Sequence, residues 1–183
     1  MTRPTRDQWG LDIAKVTAKR ATCLRRSVGC VLVDARGHVL ATGYNGVSAG
    51  AKHCNEAVSV PKDYKPWGKI VEIEGKLIQP ERPSRFEIEY PYACPGAYSP
   101  SGTNLDACQA IHAEQNALMQ CKSVWDIHTT YVTVSACMTC VKLLLNTICS
   151  RIVFGEEYVH ADARSMWLNA GREWVFLSPD SYT

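Results

Sequence analysis

No stretch of this chain stays apolar for the roughly 20 residues that a bilayer-spanning helix needs. Its opening, Met1-Thr2-Arg3-Pro4-Thr5-Arg6-Asp7, lacks the apolar core of a secretion signal. A cytoplasmic protein with no membrane partner is expected. Neither sign of charge is in excess: 20 Lys and Arg against 18 Asp and Glu leave a formal +2, which gives no footing for an extended nucleic-acid groove. A small anionic ligand is compatible with that balance. Internal repeats and low-complexity tracts are missing as well, which excludes solenoids and arrays. What the chain does have is 183 residues at 46% hydrophobic content, enough for one packed domain over 1–183. It also has 9 cysteines, an odd number. In a reducing compartment thiols and metal ligands explain these better than disulfides do, and several can serve simply as small buried residues.

Apolar Trp9, Ile13 and Val16 recur at helical steps among charged residues, so 6–21 reads as an amphipathic helix covering a sheet. Val28 to Val33 and His38 to Thr42 read as a hairpin turning at Asp34-Ala35-Arg36-Gly37. The following 47–104 holds most of the prolines and one small hairpin, Lys69 to Ile78, turning near Glu74-Gly75. A connection that long inside a compact domain calls for a ligand, a metal or a subunit contact. Beyond it the pattern predicts a helix from Cys108 to Gln120, opened by a loose capping box of Asp106 and Gln109, then a strand at Tyr131 to Val134. A helix at Cys137 to Asn146, a strand at Arg151 to Phe154, a helix at Asp162 to Asn169 ending on Gly171 and a last strand at Trp174 to Leu177 complete it. The alternation implies an α/β fold with helices packed on one mixed sheet.

The chemistry concentrates in His112-Ala113-Glu114 and Cys137-Met138-Thr139-Cys140. One imidazole and two thiolates suit a tetrahedral zinc that keeps a position for water, whose pKa the metal lowers toward neutrality. Cys137 and Cys140 lie one turn apart at the opening of a helix, where the dipole favours thiolates. Glu114 is a carboxylate that need not bind metal and is free to move protons. Alone, a histidine is more often a cap or a core residue, and a Cys-x-x-Cys pair is more often structural. Together, His-x-Glu and Cys-x-x-Cys form the established signature of zinc deaminases.

Those two motifs, with Arg25-Arg26-Ser27-Val28-Gly29, Gly43-Tyr44-Asn45-Gly46 and Ile111 to Ala117, run through a chain that resembles the cytidine deaminase superfamily over nearly its full length. Within the superfamily it is most similar to deoxycytidylate (dCMP) deaminases of bacterial and bacteriophage type. The resemblance implies a three-layer fold with a mixed five-stranded sheet flanked by helices. It implies hydrolytic conversion of dCMP to dUMP and ammonia, with dCTP a second substrate in some phage relatives, and a role in supplying dUMP for thymidylate synthesis. Zinc on His112, Cys137 and Cys140 and proton transfer by Glu114 to the ring nitrogen follow from it, as does a host-cytoplasm location if the chain is of bacteriophage origin. One departure is Ala136, where the family usually has proline before the first cysteine. Altered local rigidity, not lost activity, is expected there.

The same resemblance assigns substrate binding to Arg26, Asn45, Ala113 and Tyr158. Asn45 is the candidate for the deoxyribose hydroxyl, Arg26 for the phosphate and Tyr158 for stacking on the pyrimidine. Read without it, Asn45 is a turn residue, Arg26 a solvated cation and Tyr158 part of the core. Phage members carry a structural zinc whose cysteines resemble Cys23 and Cys54, so Cys23, Cys54, Cys94 and Cys108 form a candidate second zinc set, with His53 competing. The alternative is ordinary thiols, as expected for Cys30, Cys121 and Cys149. The resemblance also implies a homo-oligomer, a hexamer above all, activated by dCTP and inhibited by dTTP. Gln120-Cys121-Lys122-Ser123, however, lacks an arginine that some regulated members place nearby. The competing functions are a zinc deaminase acting on cytidine, guanine or a tRNA adenosine, and a non-catalytic zinc-stabilised regulatory module.

Overall fold

Thr5 starts the first helix. Its hydroxyl accepts from the Gln8 amide at 3.2 Å, and Gln8 Oε1 accepts from the Thr5 amide at 2.8 Å, a reciprocal capping box. In the computed structural model, which describes residues 3–54, 56, 58–59, 71–73, 76–78, 89–90, 94, 96, 103, 108–158 and 161–178, this helix is α1 (Arg6–Ala18). It is followed by β1 (Gly29–Val33), β2 (Val39–Tyr44), β3 (Val58–Ser59), β4 (Val71–Ile73), β5 (Lys76–Ile78), β6 (Glu89–Tyr90) and α2 (Ala113–Gln120). Then come β7 (Thr129–Val134), α3 (Met138–Leu145), β8 (Arg151–Glu156), α4 (Ala161–Asn169) and β9 (Glu173–Phe176).

The main sheet has five strands in the order β2-β1-β7-β8-β9. β1 is antiparallel to both β2 and β7, whereas β7, β8 and β9 run parallel, which is the mixed sheet the resemblance implied. Parallel neighbours need crossovers, and α3 and α4 provide them. β1 is buried along its whole length, as a strand covered on both faces must be. Cys30 and Leu32 join Ala117 of α2, Val141 of α3 and Trp167 of α4 on one face, while Val31 and Val33 join Leu11 and Ala14 of α1 on the other. The result is helix, sheet and helices in three layers. Asp7 ties the α1 layer to the sheet, accepting from Tyr131 Oη at 2.9 Å and from both terminal nitrogens of Arg151 at 3.1 Å.

Several sequence expectations shift. α1 ends at Ala18 instead of Ala21. Its buried face is Gly10, Leu11, Ala14 and Ala18, whereas Trp9 and Val16 of the anticipated stripe stand 40% and 63% exposed. Small residues let the helix lie close on the sheet, an advantage that apolar periodicity does not register. The second helix starts at Ala113, not Cys108, because Ile111 pairs with Gly46 in an antiparallel bridge and holds the chain extended just before it. Asp106 of the anticipated capping box lies outside the described residues, and Gln115 takes the reciprocal role by accepting from the His112 amide at 2.9 Å. In the 47–104 stretch, β4 and β5 pair antiparallel with Val71 opposite Ile78, and the anticipated turn at Glu74-Gly75 lies outside the described residues. Among the described residues, no helix is long and apolar enough to cross a membrane.

Candidate active site

The Gly43-Tyr44-Asn45-Gly46 segment docks the start of α2. A Cβ on Gly43 would come within 2.2 Å of the Ala113 carbonyl oxygen and 2.4 Å of the Ala117 nitrogen, so only glycine allows this approach. Asn116 then donates from Nδ2 to the Tyr44 carbonyl at 2.7 Å, and Gly46 and Ile111 exchange backbone hydrogen bonds at 3.2 and 2.8 Å. His112 is left as the N-cap, with extended backbone at φ −70° and ψ 155°. This resolves a geometric difficulty in the sequence. Inside a helix, residues two apart point roughly 200° from each other, but His112 precedes the helix and Glu114 lies in its first turn. Both can therefore serve one point.

Cys137 is the N-cap of α3, immediately beyond β7, and Cys140 sits one turn further. Each sulfur lies 3.4 Å from His112 Nδ1, and the three donors fall within 4.8 Å of one another. A tetrahedral zinc with bonds near 2.3 Å to sulfur and 2.0–2.1 Å to nitrogen requires S···N separations of roughly 3.6 Å. The donor set fits zinc. The Cys140 thiol and His112 hold the Cys137 thiol down at about 4, while Cys137 in turn raises His112 and, with burial, the Cys140 thiol; a metal on the three donors would release the protons of His112 and Cys140. Glu114 is only 4% exposed. Burial raises its carboxyl above the ordinary range, with the Cys137 charge adding to that, and it hydrogen-bonds the Cys140 thiol. A buried carboxyl beside the metal donors, readily protonated, suits a group that must both take and give a proton.

One cavity brings together Glu114, His112, Cys137, Arg25, Arg26 and Tyr158, with Asn45 and Ala113 also in its wall. Asn45 is committed to the protein as well: Nδ2 donates to the Arg26 carbonyl at 2.7 Å and Oδ1 accepts from the Val28 amide at 2.7 Å. It clamps the loop that carries the arginine pair, leaving one hydrogen and one lone pair for a ligand. Arg25, part of the quoted arginine motif but given no site role in the sequence, donates to the Thr103 carbonyl at 2.8 Å. Ser135 was also missed. It accepts from the Tyr158 amide at 2.7 Å and holds that residue at the cavity.

The cysteines of the second set, far apart in sequence, form two pairs. Cys23 hydrogen-bonds Cys108, which with flanking backbone amides holds the Cys23 thiol down at about 5. Burial and the neighbouring Cys94 and Cys23 push Cys54 up to about 12, and Cys54 hydrogen-bonds Cys94. Cys108 also feels Cys94, so the two pairs are within electrostatic reach of each other. His53 is exposed, and its backbone amide donates to Glu56 at 3.2 Å. Cys30 and Cys149 are wholly buried, and Cys121 packs partly against the core.

Fold and donor set together are those of a zinc-binding deaminase domain. The model of the cytidine and deoxycytidylate deaminase zinc-binding region matches residues 4–156, and the chain belongs to that family. The chain is 34% identical over 160 residues to a deoxycytidylate deaminase of Mycobacterium phage D29, covering 86% of this chain and 99% of the relative. It is 31% identical over 161 residues to the deoxycytidylate deaminase of Schizosaccharomyces pombe, covering 85% of this chain but only 38% of that longer protein. Among solved structures it resembles a dCMP deaminase from cyanophage S-TIM5 in complex with dCMP and dUMP, with a TM-score of 0.61, 21% identity and coverage of 97% and 100% of the two chains. That last likeness is one of fold.

Proposed function

We propose that this chain is a zinc-dependent deoxycytidylate deaminase that converts dCMP and water to dUMP and ammonia. The observation that carries the reading is a single cavity with metal donors and a buried Glu114 at one end and the guanidinium of Arg26 in its wall. A metal-activated water suits attack on an amine-bearing ring carbon, and an arginine suits a phosphate. His112, Cys137 and Cys140 would hold the zinc, which would supply that water activation near neutral pH. Glu114 takes the proton, passes it to the ring nitrogen and then serves the leaving amine. Arg26 binds the phosphate, Asn45 uses its remaining hydrogen-bonding capacity on the sugar, Ala113 lines the base pocket and Tyr158 stacks on the ring.

The test is ammonia release and product analysis on dCMP, dCTP, deoxycytidine, cytidine and guanine. We expect dCMP to be the best substrate, with kcat/KM for deoxycytidine lower by roughly 10- to 100-fold, the scale of lost charge-assisted hydrogen bonds. Preference for cytidine or guanine would overturn the substrate, and no turnover on any member would favour the regulatory module.

The proposal extends to a second zinc on Cys23, Cys54, Cys94 and Cys108. Its support is the pairing of these thiols, Cys23 with Cys108 and Cys54 with Cys94, and the suitability of a closed thiolate site for pinning a long connection, although among the described residues only His112, Cys137 and Cys140 gather as a three-donor metal group. Self-association, with the hexamer as the form implied by the resemblance, belongs to the same proposal and is read from the mass of the protein in solution. Response to dCTP and dTTP belongs to the same proposal and is read by repeating the dCMP kinetics with each nucleotide added.

A further inference from the structure

Arg26, in the wall of the cavity, is paired with Glu156. Arg26 lies in the loop before β1, and Glu156 ends β8. Backbone at both posts is fixed: the Arg26 carbonyl is held by Asn45 Nδ2 at 2.7 Å, and the Glu156 carbonyl accepts from the Ser135 amide at 2.8 Å. Only the side chains are left to adjust. Arg26 Nη1 stands 3.2 Å from Glu156 Oε1, with the two side chains 33% and 61% exposed, and the guanidinium lies 5.8 Å from the ring centroid of Tyr158. The contact has the distance of an ion pair but not the alignment of a hydrogen bond: Nη1 is buried and has no hydrogen-bond acceptor among the described residues. A cation in the wall of the cavity is thus held by a carboxylate that does not satisfy it.

We infer that Glu156 is an internal stand-in for the substrate's phosphate, which a phosphorylated ligand displaces from Arg26 and a neutral nucleoside does not. The inference rests on the reading of Arg26 as the phosphate ligand. An exposed ion pair is a weak contact, and a phosphate offers more charge together with paired oxygens that match the planar guanidinium. The exchange therefore favours the phosphorylated ligand. Deoxycytidine brings no anion, so the Arg26–Glu156 pair stays closed beside it. Glu156 in this role is a specificity determinant that touches no reacting atom.

Steady-state kinetics of Glu156→Gln and Arg26→Met on dCMP and deoxycytidine, with inorganic phosphate as a competitive inhibitor, test this. In Glu156→Gln we expect KM for dCMP and the inhibition constant for phosphate to fall about three- to fivefold, with kcat and the deoxycytidine kinetics unchanged. Arg26→Met should raise KM for dCMP alone, and adding Glu156→Gln to it should change nothing more. If Glu156→Gln leaves KM for dCMP unchanged or raises it while Arg26→Met raises it, the stand-in role is wrong and Glu156 is at most a brace for the arginine. If Arg26→Met leaves dCMP kinetics unchanged, the phosphate reading fails and takes this inference with it.

Discussion

At the scale of single residues, the proposed chemistry separates metal holding from proton handling. His112, Cys137 and Cys140 converge within 4.8 Å, whereas Glu114 lies beside them, buried and hydrogen-bonded to the Cys140 thiol. Glu114→Gln should therefore retain zinc and lose turnover by about 10²- to 10⁴-fold, the range typical of a positioned general acid or base. His112→Ala should lose metal and turnover together. Metal analysis alongside kcat checks both, and near-normal turnover in Glu114→Gln would remove that side chain from the mechanism. These residues were legible because ligand chemistry is written in short, local spacings. Asn116 and Ser135 were not, since their work is to hold backbone distant in sequence: Asn116 reaches 72 positions back to Tyr44. No short motif records a partner that remote.

At the scale of elements, the candidate site depends on where two helices begin, and α3 is secured at its other end. Arg172 donates from Nη1 to the carbonyls of Leu144 and Cys149 at 3.0 and 2.7 Å, and from Nη2 to those of Leu145 and Thr147 at 2.9 and 3.1 Å. The last carbonyls of a helix have no partner within it, and one planar guanidinium supplies several here while lying 5.1 Å from the Trp167 ring centroid. Arg172→Ala should lower unfolding free energy by about 2–4 kcal/mol, because it strands part-buried acceptors. Arg172→Lys should recover only part of this, since a point charge cannot span the same fan of carbonyls. Denaturant unfolding of the two variants measures the difference. Most elements could be read from periodicity, but the α2 start could not: the bridge between Gly46 and Ile111 is a tertiary contact that overrides local helical composition. The buried face of α1 was misread for a related reason, as its glycine and alanines contribute closeness instead of apolar area.

At the scale of the whole molecule, the thiols of Cys23, Cys54, Cys94 and Cys108 join the start of the chain to the long connection before α2. With zinc there, the holoenzyme should carry two zinc ions per chain, and Cys54→Ser with Cys94→Ser should carry one and melt at a lower temperature. One zinc per chain in the unmodified protein would sink the second site. The mixed sheet was legible because alternating strands and helices leave few ways to cover both faces. Within 47–104 the small hairpin of β4 and β5 was legible but the remaining pairing was not, because turn-forming residues predict where a chain bends but not what it packs against. The Asn45 clamp has a further consequence, for chemical ageing. Asparagine followed by glycine is the dipeptide most prone to cyclise to a succinimide and hydrolyse to aspartate, through attack of the glycine nitrogen on the side-chain carbonyl. Here Asn45 is 8% exposed, its amide is pinned from both ends at 2.7 Å, and the Gly46 nitrogen is occupied by the Ile111 carbonyl. The fold therefore shields its own weakest covalent link, and damage there accrues only in molecules that have opened. A chain so altered would return with an acceptor where the Arg26 carbonyl requires a donor, so its history of unfolding would be recorded in the loop that carries Arg26.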